Sequence, residues 1–272
     1  MNASLALARR EIVRFFRQPS RVIGAVLPPL LAWLLIGSGF GTSFRVPGST
    51  SDSGSYFSYF FPGTVVLVVL FASIFSTISV IEDRREGFLQ AVLVSPVRPS
   101  QIVLGKLAGG TFLGFLQGGV LLLLVPFLGL SWRSPAFAGA IGVLLLVSFA
   151  LTGLGFTIAW SLESTQGFHA IMNLFLIPMW LLSGAFFPMG GAPAWLRFAM
   201  SVNPLTYGVA ALRRGLSPGA EGLPSMALTL TVTIAFALLT FGSSLLVVSR
   251  NPAGPVRRPT PSRKQERTAA SR

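Results

Sequence analysis

Two long runs without a formal charge decide what this chain can become. Pro62 to Ile81 contains no Asp, Glu, Lys or Arg, and neither does Leu107 to Trp132. A helix needs about 20 apolar residues to cross roughly 30 Å of hydrocarbon, so each run is long enough to span a bilayer. Between them lies a polar island of five consecutive charged residues, Glu82, Asp83, Arg84, Arg85 and Glu86. Gly87, Phe88 and Leu89 follow, opening an apolar, helix-compatible stretch that breaks at Ser95-Pro96. The island reads as a loop at a membrane surface, and the short helix after it suits docking to a partner.

Composition extends this to the whole chain. It is 52% hydrophobic and only 11% charged, with a mean hydropathy of +0.71, whereas a soluble domain is about a quarter charged. The expected class is an all-α integral membrane protein. Phe outnumbers Tyr 23 to 3, as suits side chains facing lipid or packed protein with no polar tip to satisfy. The absence of cysteine excludes disulfides and thiolate chemistry. A single histidine, His169, argues against a histidine-rich metal site. The net charge of +13 would suggest nucleic acid in a soluble chain. Here the basic residues flank apolar spans, so they set orientation and no nucleic-acid partner is expected.

Six spans are predicted, at about 22–40, 63–81, 107–130, 136–160, 168–187 and 225–249. Residues 4–18 form an amphipathic helix, with Leu5, Ala8, Ile12, Phe15 and Phe16 on one side and Arg10, Arg14 and Arg17 on the other. It is read as lying in the interface plane with its arginines near lipid headgroups, the alternative being a plain basic flank. Pro28-Pro29 in the first span predicts a kink or a late start, and Pro178 an interruption of the fifth. Tyr56 to Gly63 is an aromatic cluster suited to an interface. Gly110, Gly114 and Gly118, four apart, share one face of the third span, where helices can approach closely, within the protomer or between subunits. The proline-rich stretch 188–224 holds two helices too short to span, read as re-entrant or interfacial on the outer side. Residues 250–272 read as a disordered basic tail.

Sixteen Lys and Arg fall on the side of the termini and the island, against five on the other. This places both termini in the cytoplasm. No phosphate-binding glycine loop with Lys-Ser/Thr occurs. No nucleophile elbow accompanies His169. No predicted span carries an ionisable residue in its interior, which disfavours ion-coupled transport. The chain is expected to be no enzyme, with no cofactor of its own.

Four segments, in order, resemble the type-2 ATP-binding-cassette exporter permeases of bacteria. Tyr56 to Gly63 is similar to their aromatic-Pro-Gly entry to the second span, and Glu82 to Pro96 to their cytoplasmic Glu-x-Arg-x-x-Gly…Ser-Pro segment, followed by Gly105-Lys106. Ser183 to Pro188 resembles the end of the fifth span. Asn203, Pro204 and Tyr207 with Arg213 resemble the outer segment before the last helix. Gln90 departs from the acidic residue of many relatives. The resemblance implies a six-helix permease of the bacterial inner membrane that pairs with a second permease, the same chain or another. Two separate ATPase subunits would hold ATP and Mg, docked on the coupling helix of the island. Abundant Phe and few buried charges favour a drug-like or lipid-like cargo. A polysaccharide or glycolipid exporter and a non-transporting membrane scaffold or sensor are the alternatives.

Overall fold

The computed structural model describes residues 3–40, 56–94, 97–128, 135–217 and 222–251. Among them only helices and turns occur, with no strand. In chain order the helices are α1 (Ala3–Phe16), α2 (Pro19–Phe40), α3 (Tyr56–Arg85), α4 (Phe88–Leu93), α5 (Pro99–Leu122), α6 (Pro135–Ser161), α7 (Thr165–Trp180), α8 (Ala194–Val202), α9 (Pro204–Leu216) and α10 (Met226–Arg250). Five stretches, α2, α3, α6, Thr165–Ala185 and α10, are long and apolar enough to cross a membrane. The glycines, Gln117 and Lys106 make α5 less apolar than these, and it packs inside the bundle against α1, α3 and α6.

Helix α3 is the axis. It is apolar on every side, and 89% of its spanning stretch is buried, against 22% for α2 and 28% for α10. The outer helices turn Leu27, Leu34 and Leu35, or Leu238 and Leu239, away from the protein. Small residues let the inner helices close. A Cβ on Gly110 would stand 2.5 Å from Thr152 Cγ2 and 2.6 Å from Ser76 Oγ. One on Gly114 would stand 2.6 Å from Ser73 Oγ, and one on Gly118 2.6 Å from Val69 Cγ2. The glycine stripe therefore faces α3 and α6 of its own chain, at a separation only glycine allows.

Several expectations are corrected. The island is not a loop: Glu82 to Arg85 form the last turn of α3. Gly87, in the left-handed region at φ 77°, then turns the chain into α4. The aromatic cluster turns inward. Tyr56, Phe60 and Phe61 are the buried first turns of α3: Phe186 packs on Tyr56 and Phe60, Trp180 on Phe60, and Trp33 on Phe61. The Pro28-Pro29 pair neither delays nor divides α2, which starts at Pro19 and runs to Phe40. The fifth span breaks at Gly184, φ 74°, inside a π turn at Leu181–Ala185, and not at Pro178. Helix α5 begins at Pro99, well before Leu107: proline is pre-shaped for a first helical turn. It ends at Leu122, shortly before Pro126. Ser95, Pro96, residues 129–134 and the tail from 252 lie outside the described residues.

Candidate functional site

Both described ends of the chain, α1 and the C-terminus of α10, lie at one end of the bundle, here the terminal end. There the chain gathers four of its acids, Glu11, Glu82, Asp83 and Glu86, with Arg10, Arg14, Arg21 and Lys106. The balance of four against four leaves the cluster neutral. Its centre is Asp83, fully buried in the last turn of α3. Arg10 grips it with two bonds of 2.8 Å, and Arg14 Nη1 adds a third at 2.5 Å. Lys106 Nζ of α5 donates to Asp83, to Glu11 Oε1 at 2.6 Å and to Ser79 Oγ at 3.2 Å. Arg14 also reaches Glu82 Oε2 at 3.0 Å and Glu86 Oε1 at 3.1 Å, and Arg21 pairs with Glu82. The paired Asp83 carboxylate raises the Arg10 guanidinium above its already high range, so it stays charged.

Helix α1 forms here because its buried face, Leu7, Ala8, Glu11 and Phe15, seats on α5. A Cβ on Gly105 would meet Leu7 Cβ at 2.8 Å, and one on Gly109 would meet Glu11 Cβ at 2.8 Å. This corrects the expectation that Arg10 and Arg14 face lipid headgroups. Arg10 and Arg14 turn into the protein, because a buried carboxylate offers them a stronger partner than hydrated headgroups do. Arg17 and Phe16 are exposed, and Arg17 takes no part in the cluster. Sequence reasoning missed Glu11, Lys106, Ser79 and Arg21. Glu11 left a signal: it is the lone acid in a basic helix, on the face that carries Leu7, Ala8 and Phe15.

The other residues of the island hold the neighbouring turn. Arg84 donates to Trp160 O at 2.7 Å and Leu162 O at 2.9 Å, closing the C-terminus of α6. Arg85 donates to Glu163 O at 3.1 Å. Above this network sits α4. Leu89 is buried, and the Phe88 ring lies under the Arg10 guanidinium at 3.7 Å. The outer side of α4 presents Gln90 and Ala91, with Val94 88% exposed just beyond it. Of the predicted coupling residues, Glu82, Asp83 and Arg84 thus face inward, and Arg85 and Glu86 lie at the rim.

At the opposite end, Asn203 turns the chain between α8 and α9. Its side chain accepts from Leu205 N at 3.0 Å and donates to Met179 O at 2.6 Å. From there α9 climbs along α6, with Gly208 against Val147 and Gly215 against Ala140. Pro204 fills its first turn, and Tyr207 donates to Ser201 O at 2.8 Å. Buried Arg213 donates to Gly184 O at 3.0 Å and Tyr59 O at 3.2 Å, beside the broken fifth span, and stacks on the Tyr59 ring. At Gly184 the arginine meets a carbonyl oxygen of the irregular backbone, where the helical pattern is broken.

An apolar helical bundle with neutralised charge at one end and an exposed short helix above it is a multi-pass membrane protein. No group of three or more possible metal ligands occurs among the described residues. Residues 2–217 match the family of ABC-2 type transporters, and the chain belongs to that family. It is 30% identical over 213 residues to a putative transport permease, ycf38, of Cyanophora paradoxa, covering 76% of this chain and 71% of that one. It is 26% identical over 232 residues to nodulation protein J of Sinorhizobium fredii, covering 84% and 86%. Against the daunorubicin resistance ABC transporter permease protein DrrB1 of Streptomyces coeruleorubidus it is 26% identical over 246 residues, covering 86% and 81%. Such membrane subunits are permeases and not catalysts, and family membership implies an ATP-binding-cassette ATPase as partner.

Proposed function

We propose that this chain is the permease of an ATP-driven exporter, with α4 as the surface that takes up the motion of the ATPase. The observation that carries the reading is the exposed Gln90, Ala91 and Val94 on a helix anchored to the ion cluster. A push on α4 reaches α3 through Gly87, α1 through Arg10, and from Asp83 reaches α5 through Lys106. Helices joined by buried ion pairs move together, because separating them would strand charges. ATP and Mg are held by the ATPase, two copies of which serve two permeases.

The terminal end is cytoplasmic, on the excess of sixteen basic residues over five, in a bacterial inner membrane. Helix α5 crosses with the other five, its glycines and Lys106 shielded by α1, α3 and α6, which makes six spans. Helices α8 and α9 enter from the outer side and return, the turn being satisfied by Asn203. The two permeases meet along α2 and α7, copies of this chain or of a second one, and cargo passes between them. The cargo is an amphiphile of drug or lipid type, in keeping with the resistance named for one relative.

The test is copurification with the ATPase subunit and cargo export. Ala91→Asp and Gln90→Arg are expected to abolish both while the permease still inserts and folds. If either variant copurifies and exports as the parent does, α4 is not the docking surface. Glu82 is unsuited to this test, since its loss also frees Arg21 and removes one of the carboxylates that hold Arg14.

A further inference from the structure

Two cavities adjoin beside α7, one between α2, α3 and α7 and the other between α3 and α7 alone. The one nearer the terminal end, about 310 Å³, is lined by Ser20, Arg21, Phe75, Glu82, Thr165 and His169. The tighter one continues past Phe71, Asn173, Leu176 and Ile177. The second holds only about 20 Å³, and Phe75 and His169 line both, so it extends the first as a shallow groove between α3 and α7. The joined cleft is polar where it begins and apolar where it ends, the profile of an amphiphile lying along a helix.

The polar groups are the unusual part. His169 and Asn173, four residues apart, share one side of α7, and both are exposed. Asn173 stands about 12 Å along the helix from Thr165, inside the spanning stretch. Among the described residues its carboxamide has no hydrogen-bond partner. An amide left without a partner at this depth is costly, and polar groups there serve a ligand or a pathway. Arg21 is neutralised by Glu82, so the mouth carries no net fixed charge. It offers hydroxyls, an imidazole and a paired guanidinium and carboxylate.

We infer that this cleft is a binding site for an amphiphile with an uncharged, hydrogen-bonding head of alcohol, amide or sugar chemistry. The head sits among Ser20, Thr165 and His169. Asn173 holds the polar linkage between head and tail, and the tail follows Phe71, Leu176 and Ile177. A phosphate or a quaternary ammonium would find no free counter-charge, because Arg21 and Glu82 satisfy each other, so charged heads are disfavoured by the cost of desolvating them. The inference rests on the reading that cargo passes along α2 and α7, and names the chemistry that this face selects.

The test uses the full chain in phosphatidylcholine nanodiscs and a monoacylglycerol with a photoactivatable tail. Labelling is expected within Phe71–Ile78 and His169–Ile177. Dodecyl maltoside should compete about tenfold better than dodecyl phosphate or dodecyltrimethylammonium. Asn173→Leu and His169→Leu should each lower labelling about fivefold, the loss of one hydrogen bond, and Asn173→Gln should restore it. Asn173→Leu is the cleaner of the two, since His169→Leu also gives up the imidazole's edge contacts with Phe75 and Phe168. Labelling elsewhere, labelling indifferent to both leucine variants, or equal competition by the charged amphiphiles overturns the site. Cysteine pairs between α2 of one copy and α7 of another test the seam separately. Crosslinks without cleft labelling sink only this inference, and cleft labelling without crosslinks sinks only the seam.

Discussion

Removing the Lys106 ammonium should destabilise the bundle by stranding a single carboxylate. The side chains of Lys106 and Glu11 are 4% and 5% exposed, so the pair belongs to the buried class. In Lys106→Met, Asp83 keeps the two bonds from Arg10 and the one from Arg14. Glu11 keeps only Arg10, at 3.6 Å. Breaking a buried pair from one side costs about 3–5 kcal/mol, and that is the loss expected. Replacing both partners, Glu11→Gln with Lys106→Met, removes the stranded charge and leaves a loss of about 1–2 kcal/mol in hydrogen bonds. The double variant should therefore be more stable than Lys106→Met by about 2 kcal/mol. Unfolding in detergent, followed by tryptophan fluorescence, gives the comparison, and trypsin cleavage at Arg9 and Arg17 reports release of α1. If Lys106→Met lies within about 1 kcal/mol of the parent, the cluster behaves as a surface pair and the reasoning fails. It fails equally if the double variant is no better than the single.

Gly110→Leu should cost about 1–3 kcal/mol or more by forcing α5 from α3 and α6, whereas Gly119→Ala, with nothing within 4 Å of the new Cβ, should leave the melting temperature unchanged. Arg213→Met removes one of two donors from Gly184 O and the side-chain donor from Tyr59 O and should lose about 1–3 kcal/mol, read as a lower melting temperature with α1 still protected from trypsin. A single cysteine at Ala194 or Ser217 should react with an impermeant maleimide from outside the cell, and reaction only after permeabilisation would reverse the orientation.

The class of the protein was legible in the chain, because the free energy of placing an apolar helix in lipid is local and nearly additive along the sequence. The charge-free stretch after Pro62, the island at Glu82 and the glycine spacing at Gly110, Gly114 and Gly118 needed no tertiary knowledge. Which charges meet was another matter. Arg10 and Asp83 are 73 residues apart and Lys106 and Glu11 are 95 apart. An island that reads as solvated loop can equally be the buried end of a helix. The decision belongs to α1, whose glycine-matched seat on α5 carries two arginines over Asp83 and makes burial of that carboxylate affordable. The far end shows the same division. Pro178 was visible as a helix breaker, yet the break falls at Gly184, where Tyr59 and Arg213 arrive from distant segments to satisfy the exposed carbonyl. Sequence alone determined that this chain is a set of apolar helices and roughly where most of them lie. Only the tertiary structure decided which polar groups they hide, since a buried charge is stable only where its partners are already in place.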